Sequence, residues 1–116
     1  MKERTMKKKK NYVSVKCTDG FSMSVQANMN AYCEPKTDEG PYTDVEVGYP
    51  SQPDLLLQPY AEEQGNWTDT IYGYVPVHVV QMVIDAHGGM TGGELPPFKF
   101  DPSLNGMFSR KDYVGE

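Results

Sequence analysis

The fold is most clearly encoded in residues 12–27, which read YVSVKCTDGFSMSVQA. Apolar and polar side chains alternate through both halves of this stretch, residues 12–17 and 21–27, with the period of a β-strand that buries one face. The Asp19-Gly20 pair between the halves is a strong hairpin signal, because Asp-Gly favours the positive φ angles of a tight turn. The stretch therefore predicts a β-hairpin with one face on a core and the other open to solvent.

Two further strands are predicted downstream of the hairpin. Residues 43–49 alternate acidic with apolar side chains, and prolines follow them closely, so the strand ends there. Residues 70–75 are rich in tyrosine and β-branched side chains, and Gly73 among them indicates a β-bulge or the close approach of another segment. The intervening segments are predicted as loops, residues 28–42 and 61–69, and as either a short strand or a single turn, residues 54–60.

One helix is predicted over residues 76–87, because Pro76 stands at its first position and Gly88-Gly89 ends it. Apolar side chains cover most of its circumference, and many of them are β-branched. Such a helix has weak intrinsic propensity and must be held by packing, so we expect it to lie across the sheet. The predicted class is α+β, a mostly antiparallel sheet of four or five strands with one helix packed on it.

The segment after the helix is rich in glycine and proline. Residues 88–93, GGMTGG, follow a helix instead of preceding one and contain no lysine, so they lack the features of a phosphate-binding loop. They are interpreted as a helix stop and a mobile connector. An extended tail follows, and the side chains expected to pin it to the core are Leu95, Phe98, Phe100, Leu104 and Phe108.

The charge of the chain is distributed unevenly. At 116 residues there is room for one domain, predicted over residues 12–108, between a flexible basic arm at residues 1–11 and a tail at residues 109–116. The net charge is −5, but residues 11–116 carry 5 basic against 15 acidic residues, a net of −10. Residues 37–98 hold ten carboxylates and no Lys or Arg. These charges must be balanced by counterions, by the basic ends of the chain or by a partner.

Side chains that could perform chemistry are few. The soft metal ligands are limited to Cys17, Cys33, His78 and His87, and no two of these stand at a metal-binding spacing. His78 and Asp85 lie two turns apart on one helix face, which predicts a solvated polar stripe, and His87 would cap the helix dipole. Cys33 has no histidine near it in sequence, and we expect both thiols to be reduced. The sequence therefore predicts no metal, no cofactor and no enzymatic activity.

Nucleic acid and membranes are not predicted partners of the domain. Six tyrosines could stack bases on a sheet, but base stacking works beside a basic groove and their segment is acidic. No apolar stretch follows the N-terminal lysines as in a signal peptide, and none reaches the roughly 20 residues that cross a bilayer. We therefore expect a cytoplasmic protein, and its oligomeric state is left open. The six tyrosines are Tyr32, Tyr42, Tyr49, Tyr60, Tyr72 and Tyr74.

The acidic segment, residues 37–98, is the feature of the sequence that points to a function. Asp44 and Glu46 project from one strand face and other acidic residues lie in the flanking loops, so a contiguous negative surface is predicted. One interpretation is a solvated surface that keeps a small protein soluble. The other is a surface that fits a basic groove of another protein, with tyrosines as hot spots. The predicted partner-binding residues are Asp38, Glu39, Asp44, Glu46, Glu62 and Glu63, with Tyr42 and Tyr49 as anchors.

Four stretches carry a resemblance to a known group of proteins: residues 21–27 (FSMSVQA), 32–35 (YCEP), 40–51 (GPYTDVEVGYPS) and 71–76 (IYGYVP). Across residues 20–89 the chain loosely resembles small uncharacterised proteins encoded by tailed phages and prophages. Small acidic phage proteins include inhibitors of host defence, among them anti-CRISPR proteins that occupy the nucleic-acid grooves of Cas effectors.

The resemblance implies a phage-type accessory protein in the cytoplasm of an infected or lysogenic bacterial host. It would bind and inhibit a host protein with a basic groove, for example a CRISPR-Cas effector, through its acidic, tyrosine-containing surface. The alternative is a virion or assembly component that acts by self-association. A monomer in solution would favour the first function, and a ring or stable oligomer would favour the second.

Overall fold

A computed structural model describes residues 11–102 of the chain. These residues form a five-stranded antiparallel sheet with one helix packed on it, which confirms the predicted α+β class. The strands lie in the order β4-β3-β2-β1-β5 across the sheet. In chain order the elements are β1 (Val15–Cys17), β2 (Ser22–Gln26), β3 (Asp44–Gly48), a single 3-10 turn (Gln58–Tyr60), β4 (Ile71–Pro76), α1 (Val77–Ala86) and β5 (Met90–Gly92).

The predicted hairpin lies at the centre of the sheet. β1 and β2 pair antiparallel with Val15 opposite Met23, and the Cys17 N–H donates to the Phe21 carbonyl across the turn. Valine, methionine and cysteine side chains of the two strands are buried on one face, and the residues that alternate with them are more exposed. Within β1 and β2 the period of two therefore separates the core face of the sheet from its open face, as predicted. The first strand is shorter than predicted, since β1 begins at Val15 and Val13 is 59% exposed.

Helix α1 begins directly after β4 and packs on the apolar face of the sheet. The predicted helix, residues 76–87, extends one residue beyond the observed helix at each end. Pro76 closes β4 and is the N-cap, and the Val77 N–H donates to the Thr43 carbonyl at the start of β3. Six of the ten helical residues are buried, so packing holds a helix whose propensity is weak.

A β-bulge in β4 interrupts its pairing with β3. The register shifts between Val45 and Val47, so that two residues of β4, Gly73 and Tyr74, face the one residue between these valines. Gly73 in this strand predicts a bulge or a close approach. Its neighbour Tyr74 has a positive backbone φ of 51°. The bulge leaves the Tyr74 side chain 46% exposed in a strand whose other large side chain, Tyr72, is fully buried.

Strand β5 corrects the prediction of a mobile connector at residues 88–93. Residues Met90–Gly92 pair antiparallel with β1 at one edge of the sheet. The lack of a side chain at Gly93 permits the approach of the two segments, because a Cβ there would lie 2.1 Å from the Ser14 carbonyl oxygen. A strand of three residues is too short to show a period, so periodicity could not indicate it.

The tail after β5 returns to the core, as predicted. Leu95 and Phe98 are partly buried against it, whereas Phe100, also predicted to pack there, is 40% exposed. The segment around Phe98 runs parallel to Tyr42, whose N–H donates to the Pro97 carbonyl at 2.8 Å and whose carbonyl accepts the Lys99 N–H at 2.7 Å. Two backbone hydrogen bonds thus fix this part of the tail beside the loop that leads into β3.

Several predictions fall on residues that the structure does not describe. Leu104, Phe108, the tail at residues 109–116 and the basic arm other than Asn11 lie outside residues 11–102. Within the described residues, residues 54–60 contain the single turn and not the alternative strand. No helix in this part of the chain is both long and apolar enough to cross a membrane.

Candidate functional site

Two exposed tyrosines meet where the loop before β3 crosses the bulge of β4. Tyr32 is 40% exposed, and its ring centroid lies 5.9 Å from that of Tyr74, with 36° between the ring planes. The Tyr74 N–H donates to the Tyr32 carbonyl at 3.0 Å, which joins the two backbones. Tyr32 also lies close against Gly73, where a Cβ would meet the Tyr32 Cβ at 3.2 Å. Loop, glycine and bulge together hold two aromatic rings at the surface.

Two of the predicted acidic residues lie beside this pair. Glu46, in β3 opposite the bulge, accepts the Tyr32 N–H on its Oε1 at 3.0 Å, so it positions the loop that carries Tyr32. The Glu62 N–H donates to the carbonyl of Ile71, the first residue of β4, at 2.9 Å. The Oε2 of Glu62 lies 3.5 Å from the place that a Cβ on Gly73 would take. One carboxylate therefore supports the pair and the other forms an exposed rim.

A single lysine completes the cluster. The Nζ of Lys36 lies 5.2 Å from the ring centroid of Tyr32 and 5.9 Å from that of Tyr74, within the range of a cation–π contact. The same Nζ donates to the Ala31 carbonyl at 2.7 Å. In sequence, Lys36 is the last cation before the long acidic segment. We use the name tyrosine patch for Tyr32, Lys36, Glu46, Glu62 and Tyr74.

Two other predicted acidic residues, Asp38 and Asp44, make hydrogen bonds within their own segments. Asp38 accepts a backbone N–H of its own loop on Oδ1 at 2.9 Å, and Asp44 accepts the Thr43 hydroxyl at 2.7 Å. Asp38 therefore helps to fix the backbone of its loop, and Asp44 holds a neighbouring side chain. Glu39 and Glu63 are exposed, and Glu63 follows the rim residue Glu62 directly in sequence. Of the predicted acidic residues, Glu46 and Glu62 are the two that the contacts above place in the tyrosine patch.

The two predicted anchors, Tyr42 and Tyr49, differ in their exposure to solvent. Tyr49 is 58% exposed, as an anchor requires, and it has a φ of 47°. Tyr42 is only 1% exposed, which corrects its assignment as a surface anchor. Its hydroxyl donates to the Thr37 carbonyl at 2.9 Å, and burial raises the pKa of the phenol to about 12. Tyr42 is a core residue because the tail pairs beside it, a long-range contact that the sequence pattern did not show.

Replacing Tyr42 by phenylalanine is expected to lower the free energy of unfolding by about 1 kcal/mol, because the Thr37 carbonyl loses its donor. Urea denaturation measures this loss. Tyr49→Phe is the matched control, and it should leave the free energy unchanged because that side chain is exposed. Equal effects of the two substitutions would contradict a structural role for the Tyr42 hydroxyl.

A second polar cluster surrounds the C-terminal end of α1. His87 is the C-cap residue, and its Nδ1 lies 2.6 Å from Asp19 Oδ2 while its Nε2 lies 2.9 Å from Asp54 Oδ2. The imidazole stacks on Phe21 with centroids 3.9 Å apart and 6° between the planes. Since both ring nitrogens face carboxylates, both donate as N–H groups in the imidazolium form, which leaves neither available as a base.

In this cluster, His87 and Asp19 each favour the charged form of the other. Burial is the largest single influence on the His87 imidazole and lowers its pKa, but the hydrogen bonds and charges of Asp19 and Asp54 outweigh it and raise the pKa above 6.5. The hydrogen bond from His87 is the main cause that lowers the pKa of Asp19 below 3.8. The prediction of a helix-capping His87 missed both carboxylates, which come from the hairpin turn and from the segment after β3.

The other histidine lies in a small groove at the start of α1. The prediction that His78 is solvated is wrong, since it is 7% exposed, and its ring packs edge-on against Phe100 with centroids 5.0 Å apart. The Asp101 N–H donates to His78 Nε2 at 3.2 Å, so the returning tail covers this side chain. A volume of about 270 Å³ remains between Thr43, Asp44, Pro76, His78, Lys99 and Asp101.

Neither cysteine has the surroundings of an activated nucleophile. Both thiols are buried and not joined in a disulfide, and burial is the main cause that raises the pKa of each. The Cys33 Sγ donates to the Asn28 carbonyl at 3.1 Å. No group of three or more His, Cys, Asp or Glu residues within residues 11–102 is placed to hold a metal ion. The tyrosine patch is therefore the site with the clearest binding chemistry.

The tyrosine patch was only partly visible in the sequence. Tyr32 and Tyr74 are two of the six tyrosines named as possible base-stacking residues, and Gly73 indicates the bulge beside Tyr74. Nothing in the pattern showed that residues 28–42 cross β4. A comparison of the chain with protein families, with curated proteins and with solved structures finds no match.

Proposed function

We propose that the protein acts by binding and not by catalysis, and that its tyrosine patch docks on a basic surface of another protein. The observation that supports this most directly is the pair of exposed rings, Tyr32 and Tyr74, joined by a backbone hydrogen bond beside the carboxylate of Glu62. Strained backbone such as that of Tyr74 persists where the surrounding structure enforces it, and it concentrates at functional sites. The surface is therefore preorganised for a partner.

The chemistry of the patch fits a positively charged partner. Tyrosine supplies a large, rigid contact area and is enriched among the residues that dominate binding energy. The ten carboxylates in residues 37–98, with no Lys or Arg among them, would attract a basic surface and speed its association. Salt weakens such attraction, so binding of this kind is strongest at low ionic strength.

The proposed partner is a host protein with a basic groove, bound and inhibited by a phage-type accessory protein. This identity follows from the resemblance to small phage and prophage proteins, and a CRISPR-Cas effector is one member of the proposed class. Grooves that hold nucleic acid are lined with Lys and Arg, and a surface of carboxylates and tyrosines is complementary to them. Self-association as a virion or assembly component is the competing outcome of the test below.

The charge reversal Glu62→Lys tests the proposal. The wild-type protein is used to capture partners from a bacterial lysate at low and at high salt, and the captured protein is purified for kinetic measurement. We expect Glu62→Lys to reduce the rate constant for association with the captured protein by about tenfold, because an attractive charge becomes a repulsive one.

Asp85→Lys is the matched control, since it makes the same change of charge at an exposed position on α1. It should leave the rate constant within about twofold of wild type. Equal losses in the two variants would show that net charge alone governs capture and would overturn the proposal. A stable oligomer that Glu62→Lys disrupts, measured by light scattering, would also overturn it and favour self-association.

A further inference from the structure

We propose that the tyrosine patch is a receptor for an arginine side chain of the partner, and that Lys36 occupies this place in the unbound protein. The inference rests on the proposed function and names the chemical group that the patch recognises. It follows from the contacts of Lys36, which already makes within this chain the interaction that an external cation would make.

The rings of Tyr32 and Tyr74 form a platform for a cation. Their centroids are 5.9 Å apart and their planes are inclined by 36°, so a positive group can approach both rings at once. Lys36 does this, with its Nζ at 5.2 Å and 5.9 Å from the two centroids. Both distances lie within the roughly 6 Å over which a ring quadrupole attracts a cation.

The carboxylates beside the platform add a directional partner. Glu46 accepts the Tyr32 N–H and positions that ring, whereas Glu62 stands at the rim beside Gly73. A guanidinium group lying on the rings could direct its N–H groups to the Glu62 carboxylate. Planar stacking and paired hydrogen bonds to one carboxylate are both available to arginine and not to lysine. The patch therefore favours arginine over lysine of the same charge.

Lys36 acts as an internal competitor in this arrangement. Lys36 is exposed and has a flexible side chain. Its ammonium group donates a hydrogen bond to the Ala31 carbonyl. An ammonium ion is a compact charge that does not use the planar faces of the rings fully. A partner's arginine can therefore displace Lys36, and the strength of the Lys36 contact sets the affinity that the partner must exceed.

Two peptides of equal length and charge, one of arginines and one of lysines, test the arginine preference. Wild type should bind the arginine peptide at least about threefold more tightly at moderate salt. Tyr74→Asn should abolish that preference, because it removes one ring. Asparagine tolerates the positive φ of this position, so the substitution also reduces backbone strain and preserves the fold.

The competition is tested by Lys36→Met, with Lys16→Met as the control. Both changes remove one positive charge, and Lys16 lies on β1, with the hairpin partner β2 and then β3 between it and β4. Lys36→Met should raise the affinity for the arginine peptide at least about threefold more than Lys16→Met does.

Equal binding of the two peptides by wild type would overturn the arginine receptor, and so would an arginine preference that survives Tyr74→Asn. An equal gain from Lys36→Met and Lys16→Met would overturn the competitor role. These results leave the capture experiment with Glu62→Lys unaffected. Conversely, an arginine preference without any salt-sensitive partner would support the receptor and contradict the proposed function.

Discussion

Replacing His87 by alanine is expected to lower the free energy of unfolding by about 2 kcal/mol near pH 6. The imidazolium donates to Asp54, whose side chain is 10% exposed, and it also joins the exposed Asp19. Without the ring, the largely enclosed Asp54 carboxylate loses its hydrogen-bond donor, and the stacking contact with Phe21 is lost as well. Three segments that are far apart in sequence would then separate more easily.

The effect of His87→Ala should depend on pH with a predictable sign. The pKa of His87 is higher in the folded than in the unfolded protein, so its contribution is complete below 6.5 and is lost as the pH rises through the folded value. The pKa of Asp19 is lower in the folded protein, so its contribution is complete above 3.8 and is lost as the pH falls through the folded value. The difference between wild type and variant should therefore be largest between these two values and decline on both sides.

Thermal unfolding of wild type and His87→Ala across this pH range measures the difference. Asp85→Asn is a suitable control, because Asp85 lies near the same helix end and its exposed side chain accepts a hydrogen bond from Gln81. Its effect should be small at every pH. A deficit of His87→Ala that stays constant from about pH 5 to about pH 9 would show that the charge of the imidazole does not stabilise the fold.

The elements that could be predicted from sequence are those whose signals are local. Strict alternation around Asp19-Gly20 specified the hairpin and its buried face, and the proline and glycine at its ends specified the helix to within one residue. Gly73 indicated the bulge because a glycine in a strand has few other uses. Each of these signals depends on neighbours within a few positions, where backbone geometry links sequence to structure directly.

The features that could not be predicted depend on contacts between distant segments. His87 meets Asp19 and Asp54 only after the hairpin turn and the helix end have packed together. Tyr32 reaches Tyr74 only because an irregular loop crosses β4, and loops carry no period from which their path can be read. Charge patterning indicated an acidic surface, but it could not tell rim carboxylates such as Glu62 from supporting ones such as Glu46.

The edge strand β5 provides the strictest test of such a distant contact. Gly93→Ala is expected to lower the free energy of unfolding by about 4 kcal/mol, enough to unfold a substantial part of a marginally stable domain. Gly93 has a φ of 95°, and a Cβ there would lie 2.1 Å from the Ser14 carbonyl oxygen and 2.6 Å from the Val15 Cα. Both neighbours are backbone atoms, so no side chain can rotate away to relieve the overlap.

Relief would require β5 to move away from β1. Val15 is fully buried and pairs with β2 on its other side, so β1 cannot yield without disturbing the centre of the sheet. The segment after β5 would have to move instead, and the hydrogen bond from the Glu94 N–H to the Val13 carbonyl would be lost. The tail that follows would lose its anchor at this edge.

Gly89→Ala separates the steric cost from the conformational one. Gly89 has the same φ of 95°, but a Cβ there would meet no heavy atom within 4 Å. Its substitution should therefore cost only the left-handed backbone penalty, about 1 to 2 kcal/mol. Urea denaturation of the two variants gives the difference directly. If Gly93→Ala and Gly89→Ala destabilise equally, β5 does not lie against β1 at the distance described, whereas a clearly larger loss at Gly93 shows that this glycine permits the contact that closes the sheet.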